Sequence, residues 1–468
     1  MPSKKIVCLG GGSLYFPWTM VDLVLQQDLA GSELVLYDID RQKAELMAGL
    51  GRRLARGAGT RFRVRATDKL ADAVDGADFA LSSIGGSGAE VTANVYGSRF
   101  HDADMRIPAR YGIHQVIGDT CGPAGMMMAL RSIPAYLRIC REMERRCPRV
   151  ILFNHSNPMA VLMRAMHKYS PITSIGVCHG VQGGIRRTAE FLGVEPADLD
   201  CTWIGTNHYY WFTRVLHRGR DIYPELLRRV AAAGKNAPKG NELAYRLSAI
   251  HKHVIVYAQD DHIIEFYPFL TQTPGGQKGL PYGLAEFAIN HSFDESRPPS
   301  QTAPPKDRAE FFKGYRAMLD KVKLPPKSKR RPRGHLFGEE IGSALSAIAT
   351  GQRRLFIANI ANNGAIPNLP ATAEVEVESL TDWRGVRAVS MGEAPLALKG
   401  MLEKRFVWQE LVADAAVKGD RNLALQALLM DEMAIWPEKA EAMLDELLAA
   451  SKELLPQFFR RKWPLPTA

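Results

Sequence analysis

The sequence predicts an α/β protein: a doubly wound parallel sheet over residues 1–200, then an α+β domain over residues 201–468. Three observations carry this. A glycine triplet stands between two short apolar runs at the start of the chain. Short apolar runs then alternate with amphipathic stretches to about residue 180. From Thr202 that alternation gives way to helices and long loops.

The first strand is Lys4-Lys5-Ile6-Val7-Cys8-Leu9, which runs into Gly10-Gly11-Gly12-Ser13-Leu14-Tyr15. A second, Glu33-Leu34-Val35-Leu36-Tyr37, ends on Asp38. Strand, glycine turn, helix, strand and acid form the order of a Rossmann-type unit. The glycines let the backbone approach a pyrophosphate, whose charge faces the free N–H groups at the helix start. Asp38 is placed to accept hydrogen bonds from both ribose hydroxyls of NAD and to repel the 2′-phosphate of NADP. Gly10, Gly12, Ser13, Leu14, Tyr15 and Asp38 are thus the candidate NAD-binding residues. The third glycine of the fingerprint is here Tyr15, so the triplet alone also suits a surface turn. Its context favours the dinucleotide.

Further strands follow at Phe62-Arg63-Val64, Phe79-Ala80-Leu81, Val150-Ile151-Leu152-Phe153 and Thr173-Ser174-Ile175-Gly176-Val177, with helical patterns near 125–145 and 159–167. In parallel sheets ligands bind at the carboxyl ends of strands. Chemistry is therefore to be sought at Asn154-His155-Ser156-Asn157-Pro158 and Cys178-His179-Gly180. In the second half, Trp203-Ile204-Gly205 and residues 209–215 read as strands. Residues 297–333, rich in proline and charge, read as a mobile loop beside the active site or a disordered excursion. A helix is expected at 337–349, strands at 355–360 and 373–377, and helices over 395–455. There Leu423, Leu425, Leu428, Leu429 and Met433 suit a core or a subunit interface.

At 468 residues the chain exceeds the roughly 250–300 that one core serves. It has no run of about 18 apolar residues and no apolar stretch ahead of the first strand, so neither a membrane span nor export is expected. Six scattered cysteines suit reduced thiols in a cytoplasm. Much of the net charge of +10 lies in residues 323–333, which read as a solvated loop. No helix-turn-helix or zinc-finger pattern accompanies it, and no nucleic-acid partner is expected.

Cys178 follows one strand and His208 precedes another, so a thiolate and an imidazole could share a divalent metal with open positions. The same residues suit an inert buried thiol and a packed core histidine. Asp119, in Gly118-Asp119-Thr120-Cys121-Gly122-Pro123, could orient or protonate a ligand, or cap a helix. In Tyr257-Ala258-Gln259-Asp260-Asp261-His262-Ile263-Ile264-Glu265, crowded carboxylates could supply a general base, or form a solvated turn.

In order along the chain, these motifs resemble glycoside hydrolase family 4, the NAD- and divalent-metal-dependent glycosidases. The resemblance runs through Gly10-Gly11-Gly12-Ser13, Gly118-Asp119-Thr120, Ser156-Asn157-Pro158-Met159 and Cys178-His179-Gly180. It continues with Gly205-Thr206-Asn207-His208-Tyr209-Tyr210-Trp211 and the Asp260 segment, and ends in Asn362-Asn363-Gly364-Ala365-Ile366-Pro367-Asn368-Leu369-Pro370. It implies a fold shared with lactate and malate dehydrogenases, NAD and Mn²⁺ or another divalent metal as cofactors, and Cys178 and His208 as metal ligands. It also implies oxidation at C3 of the sugar, deprotonation at C2, elimination of the C1 substituent, water addition and re-reduction.

Within that scheme the tyrosine base of the phospho-sugar branch has no clear counterpart. The C2-base role passes to Asp260, with Asp261 and Tyr257 as competitors, and the acid is Asp119 or His179. Asn157, Asn207 and His179 are expected to bind substrate. His179-Gly180-Val181 resembles the branch acting on α-glucuronides and related uronic sugars. The implied substrate is a non-phosphorylated small-molecule glycoside with an α linkage, and the implied assembly a homodimer or homotetramer. Two other classes remain: a 2-hydroxyacid dehydrogenase of the lactate/malate type, which would accumulate NADH, and a non-catalytic NAD sensor, which would tolerate loss of Cys178.

Overall fold

The computed structural model describes residues 3–85, 98–256, 260–267, 307–326 and 340–459. Six parallel strands form its centre: β1 (Lys5–Leu9), β2 (Glu33–Tyr37), β3 (Arg63–Thr67), β4 (Phe79–Ser82), β5 (Ile151–Asn154) and β6 (Thr173–Gly176). Their spatial order, β3-β2-β1-β4-β5-β6, reverses direction between β1 and β4, and a crevice opens at such a switch point. Strand β1 shows why the run is apolar throughout. Ile6 and Cys8 pack into one core layer and Val7 and Leu9 into the other, because helices cover both faces. The helices Phe16–Leu25 and Arg41–Ala58 lie on the first side, and Gly122–Arg146 and Met159–Tyr169 on the second. Arg41–Ala58 starts where the Asp40 carboxylate accepts the N–H groups of Gln42 and Lys43, and stops at Gly59 with φ +72°.

A second, antiparallel sheet consists of β7 (Leu199–Thr206), β8 (Tyr209–His217) and the short β9 (Arg220–Asp221). The expected split at residue 200 does not separate the two sheets. Strands β10 (Arg354–Ala361), β11 (Glu374–Asp382) and β12 (Gly385–Ala388) return from the second half and extend the first sheet to nine strands. They join antiparallel at β6, where Asn359 pairs with Gly176. Without them β6 would expose an unpaired edge.

The loop expected over 297–333 is partly a helix. Arg308–Lys321 begins at Asp307, whose carboxylate accepts the Glu310 N–H, and buries Phe311, Phe312, Tyr315 and Leu319. Arg53 of the neighbouring helix donates to the carbonyls of Leu319 and Val322. Four apolar side chains on one face outweigh the flanking prolines and charges. Residues 297–306 and 327–333 lie outside the described residues. Among the described residues, no helix is long and apolar enough to cross a membrane.

Candidate active site

The glycine loop leaves β1 in a form that only glycine tolerates. Gly10 has φ +75°, and a Cβ there would lie 2.3 Å from the Ser83 carbonyl oxygen. One on Gly12 would meet the Lys43 side chain at 2.4 Å. The Gly12 N–H donates to Asp38 Oδ2 at 2.9 Å and the Asp40 N–H to Oδ1 at 2.8 Å, which fixes the carboxylate at the end of β2. Desolvation raises the Asp38 pKa against the pull of those two N–H groups. Ser13 shares a 2.8 Å hydrogen bond with Ser83, Leu14 packs at the edge of the core, and Tyr15 stands at the start of the following helix. Its ring lies 4.4 Å from that of His155, centroid to centroid. Backbone N–H groups, absent Cβ atoms and a positioned carboxylate fit a dinucleotide with free ribose hydroxyls. Tyr315, which sequence reasoning did not single out, donates to the Gly12 carbonyl at 2.7 Å and so ties the helix Arg308–Lys321 to this loop.

Across the carboxyl ends of the strands lies a second cluster. Cys178 sits just past β6. His208 occupies the turn between β7 and β8 in a left-handed conformation, φ +64°. The Cys178 Sγ and the His208 Nε2 are 3.4 Å apart. On the other side of the imidazole, Nδ1 is 2.8 Å from Thr120 Oγ1, which itself donates to Asp119 Oδ1 at 2.7 Å. The hydroxyl has one proton and gives it to Asp119, so its oxygen accepts Nδ1–H. That makes Nε2 the lone-pair nitrogen, facing the thiol. Asn157 holds the other Asp119 oxygen at 2.7 Å, and His262 Nδ1 lies 3.5 Å from Oδ1. Ligand atoms of Asp119, His208 and His262 all fall within 4.8 Å of one another. A thiol sulfur facing the imidazole Nε2 at 3.4 Å, with the His208 tautomer held from behind through Thr120, fits a first-row divalent metal.

Electrostatics agree with a site built for a cation. Burial holds His208 well below the ordinary histidine value, and the His262 and His179 rings add to this. Burial, then the negative charge of Glu376, pushes the Cys178 thiol up. A metal reverses that preference by binding the thiolate. Glu376, fully buried on β11, accepts from Asn207 at 2.9 Å, and burial raises it to about 7.

The structure brings together Cys178, His208, Asp119 and Asn157, and adds Thr120 and His262. It places Asn207 differently: the amide is buried against Glu376, a bracing position behind the metal pair rather than one open to substrate. His179 stands exposed at the start of the helix Gly180–Leu192. Asp260 is corrected as C2 base. It is fully buried, and its oxygens accept the N–H groups of Leu243 (2.7 Å) and Ala244 (3.0 Å), in the first turn of the helix Glu242–His251. A carboxylate so engaged caps a helix and has no approach to a sugar proton. Tyr257 and the Asp261 side chain lie outside the described residues. His262 was legible only as a neighbour of two acids. Its spacing of three from Glu265 signals that both face one side of a turn.

The model of the family 4 glycosyl hydrolases matches residues 5–194, and that of their C-terminal domain residues 203–434. An alpha-galactosidase of Bacillus subtilis (strain 168) is 28% identical over 460 residues, covering 97% of this chain and 100% of the relative. An alpha-galacturonidase of Lachnoclostridium phytofermentans is 27% identical over 482 residues, covering 97% of each. Among solved structures, a 6-phospho-alpha-glucosidase from gut microorganisms in complex with NAD and Mn²⁺ superimposes with a TM-score of 0.75. It is 23% identical and covers 97% of this chain and 100% of its own. The order of strands, the two clusters they position and the match over both halves agree, and the chain belongs to the family 4 glycosyl hydrolases.

Proposed function

We propose that this protein is a NAD- and Mn²⁺-dependent glycosidase acting on an α-glycoside of a non-phosphorylated sugar, with a uronide as the substrate class. The observation that carries the proposal is the pair Cys178 and His208, 3.4 Å apart and held from behind by Thr120 and Asp119, beside the sheet that also presents the glycine loop and Asp38. When bound, NAD supplies reversible hydride acceptance at the sugar C3, and the divalent ion a Lewis acid that acidifies the C2 proton. The chain's own residues do the rest. Asp38 holds the ribose end of the dinucleotide, while Thr120 keeps the His208 Nε2 lone pair available beside Cys178. Asp119, fixed by Asn157 and Thr120, orients the His262 ring. His262 takes the C2-base role in place of Asp260, because its ring faces the Asp119 carboxylate at the cluster, where an imidazole is placed for proton transfer. His179, exposed next to Cys178, is the acid for the leaving oxygen. The alpha-galactosidase and alpha-galacturonidase names of the relatives support a non-phosphorylated substrate.

The test is aglycone release from aryl α- and β-glycosides, uronides included, with NAD⁺ and Mn²⁺ omitted in turn. Release that needs both and leaves no net NADH is expected. Accumulation of NADH would make the protein a dehydrogenase, and NAD⁺ binding without turnover a sensor.

A further inference from the structure

The segment 117–122, which carries Asp119 and Thr120, is a loop that ends on the first residue of the helix Gly122–Arg146, yet Asp119 and Cys121 are each 1% exposed. A buried loop must find partners for its N–H groups inside the protein. Two carboxylates from distant parts of the chain provide them. At the loop's start, Glu265 Oε1 accepts the N–H of Ile117 at 2.8 Å and that of Gly118. At its end, Asp431 Oδ2 accepts the Gly122 N–H at 3.1 Å. Asp431 is itself held by the buried Arg405 at 2.9 Å, from the helix Leu396–Lys418. N–H bonds to a carboxylate are roughly twice as strong as those between neutral groups, so the grip is firm at both ends. Glu265 and His262 lie three residues apart on one turn. That turn therefore meets both the loop backbone and the Asp119 carboxylate.

We propose that Glu265 and Asp431 are positioning residues of the metal site. They hold the loop 117–122 so that Asp119 and Thr120 set His208, and with it Cys178, for a divalent cation. The proposal rests on the metal-dependent reading given above. Both residues act through the loop backbone, Glu265 at Ile117 and Gly118 and Asp431 at Gly122. Asp431 comes from the far end of the chain, so the helical C-terminal part contributes to the site without lining it.

The experiment measures Mn²⁺ affinity of the full-length protein by paramagnetic resonance of the free ion, without substrate, and NAD⁺ affinity by fluorescence titration. Glu265→Gln keeps shape and removes charge, and should weaken Mn²⁺ binding about 10-fold, the usual scale for an outer-shell partner. Asp431→Asn should weaken it in the same direction. NAD⁺ affinity should stay within about twofold, since both residues grip the loop 117–122, and at saturating Mn²⁺ much of the lost kcat should return. Unchanged Mn²⁺ affinity in a folded Glu265→Gln protein would overturn the proposal. So would parallel loss of Mn²⁺ and NAD⁺ binding, which signals general loosening. A wild-type protein that binds NAD⁺ but no Mn²⁺ would overturn the metal-dependent reading itself, and this proposal with it.

Discussion

Thr120 has a single hydroxyl proton, and its destination decides which nitrogen of His208 can meet a cation. Because Asp119 takes it, Nδ1 must donate and Nε2 faces Cys178. The same economy of hydrogen bonds separates the two candidates for C2 base. Asp260 spends both oxygens on helix N–H groups, whereas His262 faces Asp119 at the cluster. Asp260→Asn should therefore cost stability, about 1 kcal/mol as for a lost cap, with kcat changed little once the protein is folded. His262→Ala should leave stability nearly intact and cut kcat by about 10²-fold or more, with a smaller effect on KM. Denaturant melts and steady-state kinetics on both variants separate the roles, and a large kcat loss in a fully folded Asp260→Asn would reverse them. Cys178, His208 and Asp38 could be singled out from sequence because each stands at a strand end, where parallel sheets put ligands. The role of Asp260 could not, since nothing local shows that its partners are 16 and 17 residues upstream.

At the scale of elements, the regular βα units were the legible part. Continuous apolar runs with glycine or polar ends specify strands buried on both faces, and β1, β2 and β4 to β6 stand where those runs lie. The helix Arg308–Lys321 was not legible, because its apolar face is short and prolines surround it. What fixes it is contact with Arg53 and Gly12 far away in sequence. The recruitment of β10 to β12 into the first sheet is equally non-local. One contact there has a measurable pH signature. His167, on the helix Met159–Tyr169, bonds Glu374 at the start of β11 (2.8 Å) and the Ser174 carbonyl on β6 (2.9 Å). Burial alone would depress its pKa, but the charge and hydrogen bond of Glu374 outweigh this and raise it. A raised folded-state pKa contributes stability that is fully present below the unfolded value, about 6.5, and lost as pH rises through the folded one. The stability difference between wild type and His167→Gln should thus be largest near pH 6 and shrink as pH rises through the alkaline side. Urea titrations across that range check it. A difference that grows with pH would show that the ring is buried neutral.

At the scale of the whole molecule, the excess of positive charge bears on the substrate. A net charge of +10 raises the local concentration of an anionic sugar and speeds its approach, and salt screens both effects. Charge alone does not choose between a carboxylate and a phosphate, since Arg and Lys serve both. Local chemistry separates an anionic sugar from a neutral one. His179 is exposed beside Cys178, at the start of a helix with no acidic residue in its first turn. A helix N-terminus suits a carboxylate and a phosphate alike, so it favours a charged sugar over a neutral one. On the uronide reading proposed above, kcat/KM on an aryl α-glucuronide or α-galacturonide is expected to exceed that on the matching neutral hexoside and on its 6-phosphate. The advantage over the neutral hexoside should fall as salt is raised from about 0.01 to 0.15 M, where the screening length drops from about 30 to 8 Å. His179→Ala, which removes the acid for the leaving oxygen, should lower kcat on the uronide and on the neutral hexoside alike. A clear preference for the 6-phosphate would move this chain to the phospho-sugar branch. The metal cluster and the dinucleotide crevice would stand unchanged, because neither Cys178 and His208 nor Gly10 and Asp38 depends on what the sugar carries at C6.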